Sequence, residues 1–253
     1  MKIIQNAAEE EIPNICKSLK LKDDASISNF FPNSELSYSS SMENMEPLLP
    51  PMRHPKYCER GKYLLNLDYL IHDFEAMCKT LKPHSKLVLI DMGADLARES
   101  GPVIQLLDLY SKFGFEFDHI YGFEMKFTDP VHVFRNQIPE KYMHSFHWVN
   151  VAVESDPDSK MNPLKSIVTK FDKDDFVVVK LDIDFGLIEV PLAKQIYESE
   201  ELREKIDQFY FEHHVNMKEM ARWWTRSMNG TVKESMELFH GLRQKGVASH
   251  FWV

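Results

Sequence analysis

The sequence predicts an α/β fold, a doubly wound and mainly parallel sheet, and three observations lead there. Short apolar runs alternate with stretches whose apolar residues recur every three and four positions, the pattern of strand followed by amphipathic helix. At least five such units follow one another from residue 86 onward, with no longer repeat. A chain that returns through a helix after each strand lays its strands parallel, and a closed barrel would need eight.

KLVLID (86–91) is the first strand, an apolar run of the kind buried on both faces. HIYGFE (119–124), FHWVNV (146–151), FVVVKLDID (176–184), QFYFEHHV (208–215) and VASHFWV (247–253) are the others. Ahead of the first, Leu67, Leu70, Ile71, Phe74, Met77 and Leu81 form one helical face that Pro83 ends. Helical periodicity recurs in 102–115, 131–137, 161–171, 188–206 and 233–245.

The core domain is read as residues 63–253 and residues 1–62 as an irregular N-terminal arm. One short helix fits 1–24. Residues 25–62 carry a serine-rich half and then Pro47, Pro50, Pro51 and Pro55, which continue neither a helix nor a central strand. Leu48, Leu49, Met52 and Tyr57 give that half apolar anchors for docking, as a lid or as a homodimer contact.

The 253 residues are 43% hydrophobic with a net charge of −9, which excludes collagen, a disordered tail and a nucleic-acid binder needing a basic footprint. A small-molecule substrate fits better. Apolar runs are too short to span a membrane, and MKIIQNAAEEEIP places glutamates where a signal peptide needs its apolar stretch. A cytoplasmic protein is expected. Cys16, Cys58 and Cys78 are odd in number and lack Cys-x-x-Cys spacing, so free thiols are expected.

Ligands of open parallel sheets bind beyond the carboxyl ends of the strands. Here those ends read Asp91-Met92-Gly93-Ala94, Glu124, Asn150 with Ala152 and Val153 after it, Asp182-Ile183-Asp184, and Glu212-His213-His214. Any one acid there is commonly a helix cap; five polar ends together suggest a site. Gly93 lets backbone approach a ligand, and Glu124 can accept two hydrogen bonds from a ribose diol. G-x-G-x-x-G is missing, and Asp95 stands where a pyrophosphate would sit, which argues for a nucleoside without phosphates.

LIDMGA, IYGFE, VNVAV, VVVKLDID and FYFEHHV, in that order, resemble the FkbM-type family of S-adenosylmethionine-dependent methyltransferases over about residues 86–215. The resemblance implies a Rossmann-like class I methyltransferase fold. It implies that Asp91 and Gly93 hold the methionine part of S-adenosylmethionine, Glu124 the ribose, and Ala152 and Val153 the adenine, with Asp182 under the methyl group. The chain departs from the family at Gly93-Ala94-Asp95-Leu96-Ala97-Arg98, where G-A-N-x-G is usual, and after the fourth motif, where Ile183-Asp184-Phe185-Gly186 stands in place of the usual Glu-Gly.

An O-methyl transfer needs a base for the acceptor hydroxyl, and the candidates are His214 and Asp184. Side chains alternate along a strand, so Glu212 and His214 share one face, Lys180, Asp182 and Asp184 share a face on their strand, and His213 points away. Asp182, Asp184, Glu212 and His214 also form a mixed oxygen and nitrogen set suited to Mg²⁺ or Mn²⁺, unless Lys180 pairs with Asp182. Trp223 and Trp224, with Arg222 and Arg226, read as core and helix surface more readily than as a pocket wall. His54 is placed by its prolines to reach over the site. Two other readings remain open: a glycosyltransferase holding a nucleotide sugar through Asp182-x-Asp184, and a binding module that kept the fold without catalysis.

Overall fold

The computed structural model describes residues 45–46, 67, 70–94 and 101–252. The arm apart from Met45 and Glu46, the helix expected in 1–24, His54 and the loop Asp95–Arg98 lie outside the described residues. Six parallel strands make one sheet in the order β3-β2-β1-β4-β5-β6. They are β1 (Leu87–Met92), β2 (His119–Phe123), β3 (Phe146–Val149), β4 (Phe176–Leu181), β5 (Gln208–Phe211) and β6 (Ala248–Phe251). This is the order of a doubly wound, Rossmann-like fold, with its direction reversing between β1 and β4.

Residue alternation sorts the strands into two apolar layers. Leu87, Leu89, Phe176, Val178 and Tyr210 pack against helices α1 (Phe74–Thr80), α2 (Pro102–Lys112) and α3 (Pro130–Asn136). Val88, Ile90, Met92, Val177, Val179, Phe209 and Phe211 pack against α4 (Pro163–Lys170), α5 (Gly186–Glu198), α6 (Glu200–Arg203) and α8 (Val232–Gln244). Helix α7 (Ala221–Trp224) lies between two short 3₁₀ turns, Lys218–Met220 and Thr225–Ser227, in the loop after β5. Pro102, Pro130 and Pro163 each open a helix, where a missing N–H leaves no bond unmade. No helix among the described residues is long and apolar enough to cross a membrane.

Two helices differ from the periodic reading. The face from Leu67 to Leu81 is buried, but α1 begins only at Phe74. Asp73 caps it by accepting from the Ala76 N–H at 2.9 Å, and the Ile71 N–H is taken by Glu46 at 3.0 Å. The stretch 188–206 breaks at Ser199, whose hydroxyl caps α6 through the Leu202 N–H. Asp91 lies within β1, but β2, β4 and β5 stop before their acids, so Glu124, Asp182, Asp184 and Glu212 stand on the loops just beyond. Cys78 is disulfide-bonded, against the expectation of free thiols, and Cys16 and Cys58 lie outside the described residues.

Glu46 connects the N-terminal segment to β6 and α8. Its Oε1 lies 3.0 Å from Arg243 Nη2 and 2.8 Å from His250 Nδ1, and its carbonyl accepts from Arg243 Nη1 at 2.7 Å. His250 continues to Gln208 at 2.9 Å and stacks on Tyr210, whose hydroxyl bonds His72 and Tyr110. Burial alone would raise the Glu46 carboxyl; His250, then Arg243 and the Ile71 amide, outweigh it and hold it at about 2.

A depressed carboxyl stabilises the fold above its unfolded value and loses that contribution as pH falls through the folded value. Glu46→Gln therefore lowers stability by about 3 kcal/mol at pH 7, with the deficit shrinking between about pH 4.5 and 2. Thermal unfolding of both proteins across that range checks it; a deficit independent of pH would contradict the assignment.

Candidate functional site

The acids of the sheet divide between its two edges. At the amino edge Asp118, Asp175 and Asp207 accept from the backbone N–H groups of Leu87, Lys86 and Val177 on neighbouring segments, at 2.8, 2.9 and 2.8 Å. They stitch strand starts together. The carboxyl edge is arranged differently, around one buried lysine.

Lys180, at the end of β4, pairs in register with Asp91 of β1. Its ammonium lies 2.9 Å from Asp91 Oδ1, 3.0 Å from the Gly93 carbonyl and 3.2 Å from Asp182 Oδ2. Burial opposes the charge on Lys180, but Asp182 and Asp91 outweigh it and hold the ammonium above its ordinary value. Burial also acts against Asp182, yet Lys180 and a hydrogen bond with Glu212 keep its carboxylate low. Asp91 goes the other way: burial raises it, Lys180 only partly offsets this, and Asp182 and Glu124 push it further. One lysine thus balances one carboxylate, Asp182, and leaves Asp91 short of positive charge. Asp91 Oδ2 is buried without a hydrogen-bond partner.

Gly93 has φ +89°, and a Cβ there would stand 1.7 Å from the Asp182 carbonyl oxygen. The glycine is needed because β4's backbone fills the space, a different reason from the ligand approach expected of it. Glu124 is held on its own turn, with Oε1 accepting from the Lys126 N–H at 2.6 Å. Asn150 ties this turn to the end of β3, donating to the carbonyls of Glu124 and Lys126 at 2.6 and 2.9 Å and accepting from Thr128 at 3.0 Å. Ala152 is exposed just beyond, while the half-buried Val153 packs into the second apolar layer.

His214 is buried and stacked on Trp224 at 4.6 Å. The Ser227 hydroxyl donates to the Trp224 carbonyl at 2.6 Å, so its oxygen accepts from His214 Nδ1. That assigns the ring proton to Nδ1 in the neutral imidazole and makes Nε2 the basic nitrogen. Nε2 lies 3.3 Å from Glu212 Oε1 and 3.6 Å from Asp184 Oδ1. Ligand atoms of Asp184, Glu212 and His214 all fall within 4.8 Å of one another. Asp182 belongs with Lys180 instead, so the grouping keeps three of the four residues expected for a metal. His213 points to the other side as parity predicts, against Phe211 and the Asn229 carbonyl, and burial pushes it down to about 4.

Sequence reasoning missed Glu189 and Ser227. Glu189 lies in the first turn of α5, buried, and its Oε1 accepts from the Ile183 N–H at 2.9 Å. This bond holds the Asp182-Ile183-Asp184 turn, in which Asp184 takes φ +57°, a region aspartate tolerates. A signal existed: Glu189 starts the buried stripe completed by Leu192, Ala193 and Ile196, at helical spacing. Ser227 had none, because only the folded loop brings it to His214. Trp224 is core, as expected, but it is also the ring beneath His214; the side chains of Trp223 and Arg226 lie outside the described residues.

Burial, with Asp182, Glu212 and Asp184 nearby, raises Glu189 to about 8 against the partial relief of the Ile183 bond. A raised carboxyl is fully accommodated below its unfolded value near 4.5, and its contribution is lost as pH rises through 8. Glu189→Gln keeps the acceptor for Ile183 and cannot ionise. The variant becomes more stable than the parent above about pH 5, by on the order of a few kcal/mol at pH 8. Denaturant unfolding at pH 5 and pH 8 measures this, and a gap that fails to widen would refute a neutral Glu189.

Comparison with protein family models, curated proteins and solved structures finds no match for this chain, so the functional reading rests on the residues and their geometry.

Proposed function

We propose that the chain is an S-adenosylmethionine-dependent O-methyltransferase acting on a sugar or another small hydroxylated acceptor. The observation that carries this reading is the charge of the carboxyl edge. Among the described residues, Asp91, Glu124, Asp182, Asp184 and Glu212 gather there around the buried ammonium of Lys180, with the neutral Glu189 behind them. Such an edge favours a ligand bearing positive charge and disfavours phosphates. The residues fit the cofactor: the unpartnered Asp91 Oδ2 suits its ammonium, and the Glu124 carboxylate suits its ribose hydroxyls. The cofactor supplies a methyl group activated by a cationic sulfur.

His214 is the base of this reading. With S-adenosylmethionine bound to supply the methyl group, the proton of the acceptor hydroxyl would pass to His214 Nε2 as that oxygen is methylated. Glu212 and Asp184 stabilise the imidazolium that forms, and Ser227 holds the ring by its other nitrogen. A divalent cation on Asp184, Glu212 and His214, Mg²⁺ or Mn²⁺, is the variant of this reading that the grouping supports; it would acidify the acceptor hydroxyl directly. The pairing of Asp182 with Lys180 weighs against a D-x-D glycosyltransferase, since half of that motif is already neutralised.

Calorimetry should give micromolar binding of S-adenosylhomocysteine, weakened at least about tenfold by Glu124→Ala, as expected for loss of a charge-assisted hydrogen bond. No heat with that ligand, together with heat from a nucleotide sugar plus Mn²⁺, would replace the proposal with the glycosyltransferase. His214→Gln should leave cofactor binding in place and slow methyl transfer about 10²–10⁴-fold. Cofactor binding without any methyl transfer in the parent protein would favour the non-catalytic module.

A further inference from the structure

Large apolar side chains are rarely left in water, and their distribution is informative when they cluster. Among the described residues six are strongly exposed: Met125, Phe127, Val131, Met143, Phe185 and Leu187. Five of them belong to two segments at the carboxyl edge of the sheet. Met125, Phe127 and Val131 follow Glu124 on the way from β2 into α3; Phe185 and Leu187 follow Asp184 on the way from β4 into α5. Strands β2 and β4 flank β1, so the two segments stand on either side of the switch point.

Local structure does not require these residues to be apolar. Phe185 is the N-cap of α5, a position that favours Ser, Thr, Asp or Asn, and it makes no side-chain cap. Leu187 is 68% exposed in the first turn, away from the buried stripe of Glu189, Leu192, Ala193 and Ile196. Phe127 is 81% exposed on a turn that Asn150 already holds by three hydrogen bonds.

We infer that the acceptor is an uncharged hydroxylated molecule with an extended apolar body, whose hydroxyl enters the acidic crevice while the body lies against Phe185 and Leu187. The inference rests on the methyl-transfer reading for the direction of the hydroxyl and narrows its substrate class. Continuity with the site supports it, since Phe185 adjoins Asp184 in the chain and Asp184 faces His214 at 3.6 Å. Charge supports it as well. The acids around Asp182, Asp184 and Glu212 repel a phosphorylated or carboxylated acceptor, whereas an alcohol on an alkyl, isoprenoid or fused-ring body carries no charge to repel. A free sugar would leave both side chains in water.

Alkyl glucosides of increasing chain length separate these cases, because the hydroxylated head stays constant. On the full chain with S-adenosylhomocysteine present, octyl glucoside below its micellar concentration should bind at least about tenfold more tightly than methyl glucoside. Phe185→Ser with Leu187→Ser should abolish that difference and leave S-adenosylhomocysteine affinity unchanged, while Met143→Ser, away from the edge, should retain it. Equal binding of the two glucosides by the parent protein overturns the inference. So does a chain-length effect that survives the double substitution, or a parent dimer that the double substitution converts to monomer, which would make these residues a contact between copies. Loss of S-adenosylhomocysteine binding with a retained chain-length effect would instead remove the methyl-transfer reading and leave the apolar rim standing.

Discussion

The arrangement depends on a buried ammonium. Lys180 sits in the middle of the sheet, where an uncompensated charge would cost several kcal/mol. It is tolerated because β1 supplies Asp91 and the Gly93 carbonyl while β4's own turn supplies Asp182. The ends of β1 and β4 are thereby drawn so close that residue 93 has no room for a Cβ. Trp252, just past β6, adds its ring 5.6 Å from the same ammonium. The switch point of the sheet, the place where open parallel sheets bind ligands, is therefore set by one ion cluster between adjacent strands. Any ligand that enters meets carboxyl groups whose positive partner is already committed.

How much of this was legible depends on the range of the interactions involved. The six strands followed from runs such as LVLIDM and FVVVKL, because burial on both faces demands apolar residues at every position, and their parallel direction followed from the helical stretches between them. Helix starts at Pro102, Pro130 and Pro163 were equally local signals. The start of α1 was not, because Asp73 and Glu46 compete with the apolar period, and Glu46 arrives from far upstream in the chain. Parity along β5 set Glu212 and His214 on one side and His213 on the other, and parity along β4 put Lys180 on the side of Asp182. What parity could not say was which acid Lys180 would neutralise, since that depends on pairing across β1, β4 and β5.

An acid at a strand end has opposite meanings at the two edges of this sheet. Asp118, Asp175 and Asp207 precede strands and spend their oxygens on backbone N–H groups. Their presence is explained by the sheet alone. Asp91 lies near the end of β1 and Asp184 and Glu212 follow β4 and β5, and the sheet's hydrogen bonding uses none of their carboxyl oxygens. Composition treats both sets alike; only the direction of the strand relative to the acid separates a structural carboxylate from one available to a ligand.

The loop after β5 carries the most unusual backbone near His214. Val215, Met220 and Trp224 form a small apolar cluster of their own, distinct from the two main layers. Within it Thr225, a β-branched residue, takes φ 37° and ψ −108°, a conformation worth about 1–3 kcal/mol of strain. That strained residue lies between Trp224, whose ring and carbonyl meet His214 and Ser227, and Ser227 itself. Gly186 admits the same loop, since a Cβ there would come 2.4 Å from the Ser227 carbonyl oxygen. A loop serving only to join β5 to α8 could relax by widening its turn. This one is held tight from both sides, and the result of that tightness is a histidine with one nitrogen fixed to a serine and the other turned toward two carboxylates. Preorganising a basic nitrogen in this way limits the reorganisation that proton transfer would otherwise require, which is the physical ground for proposing His214 as the base.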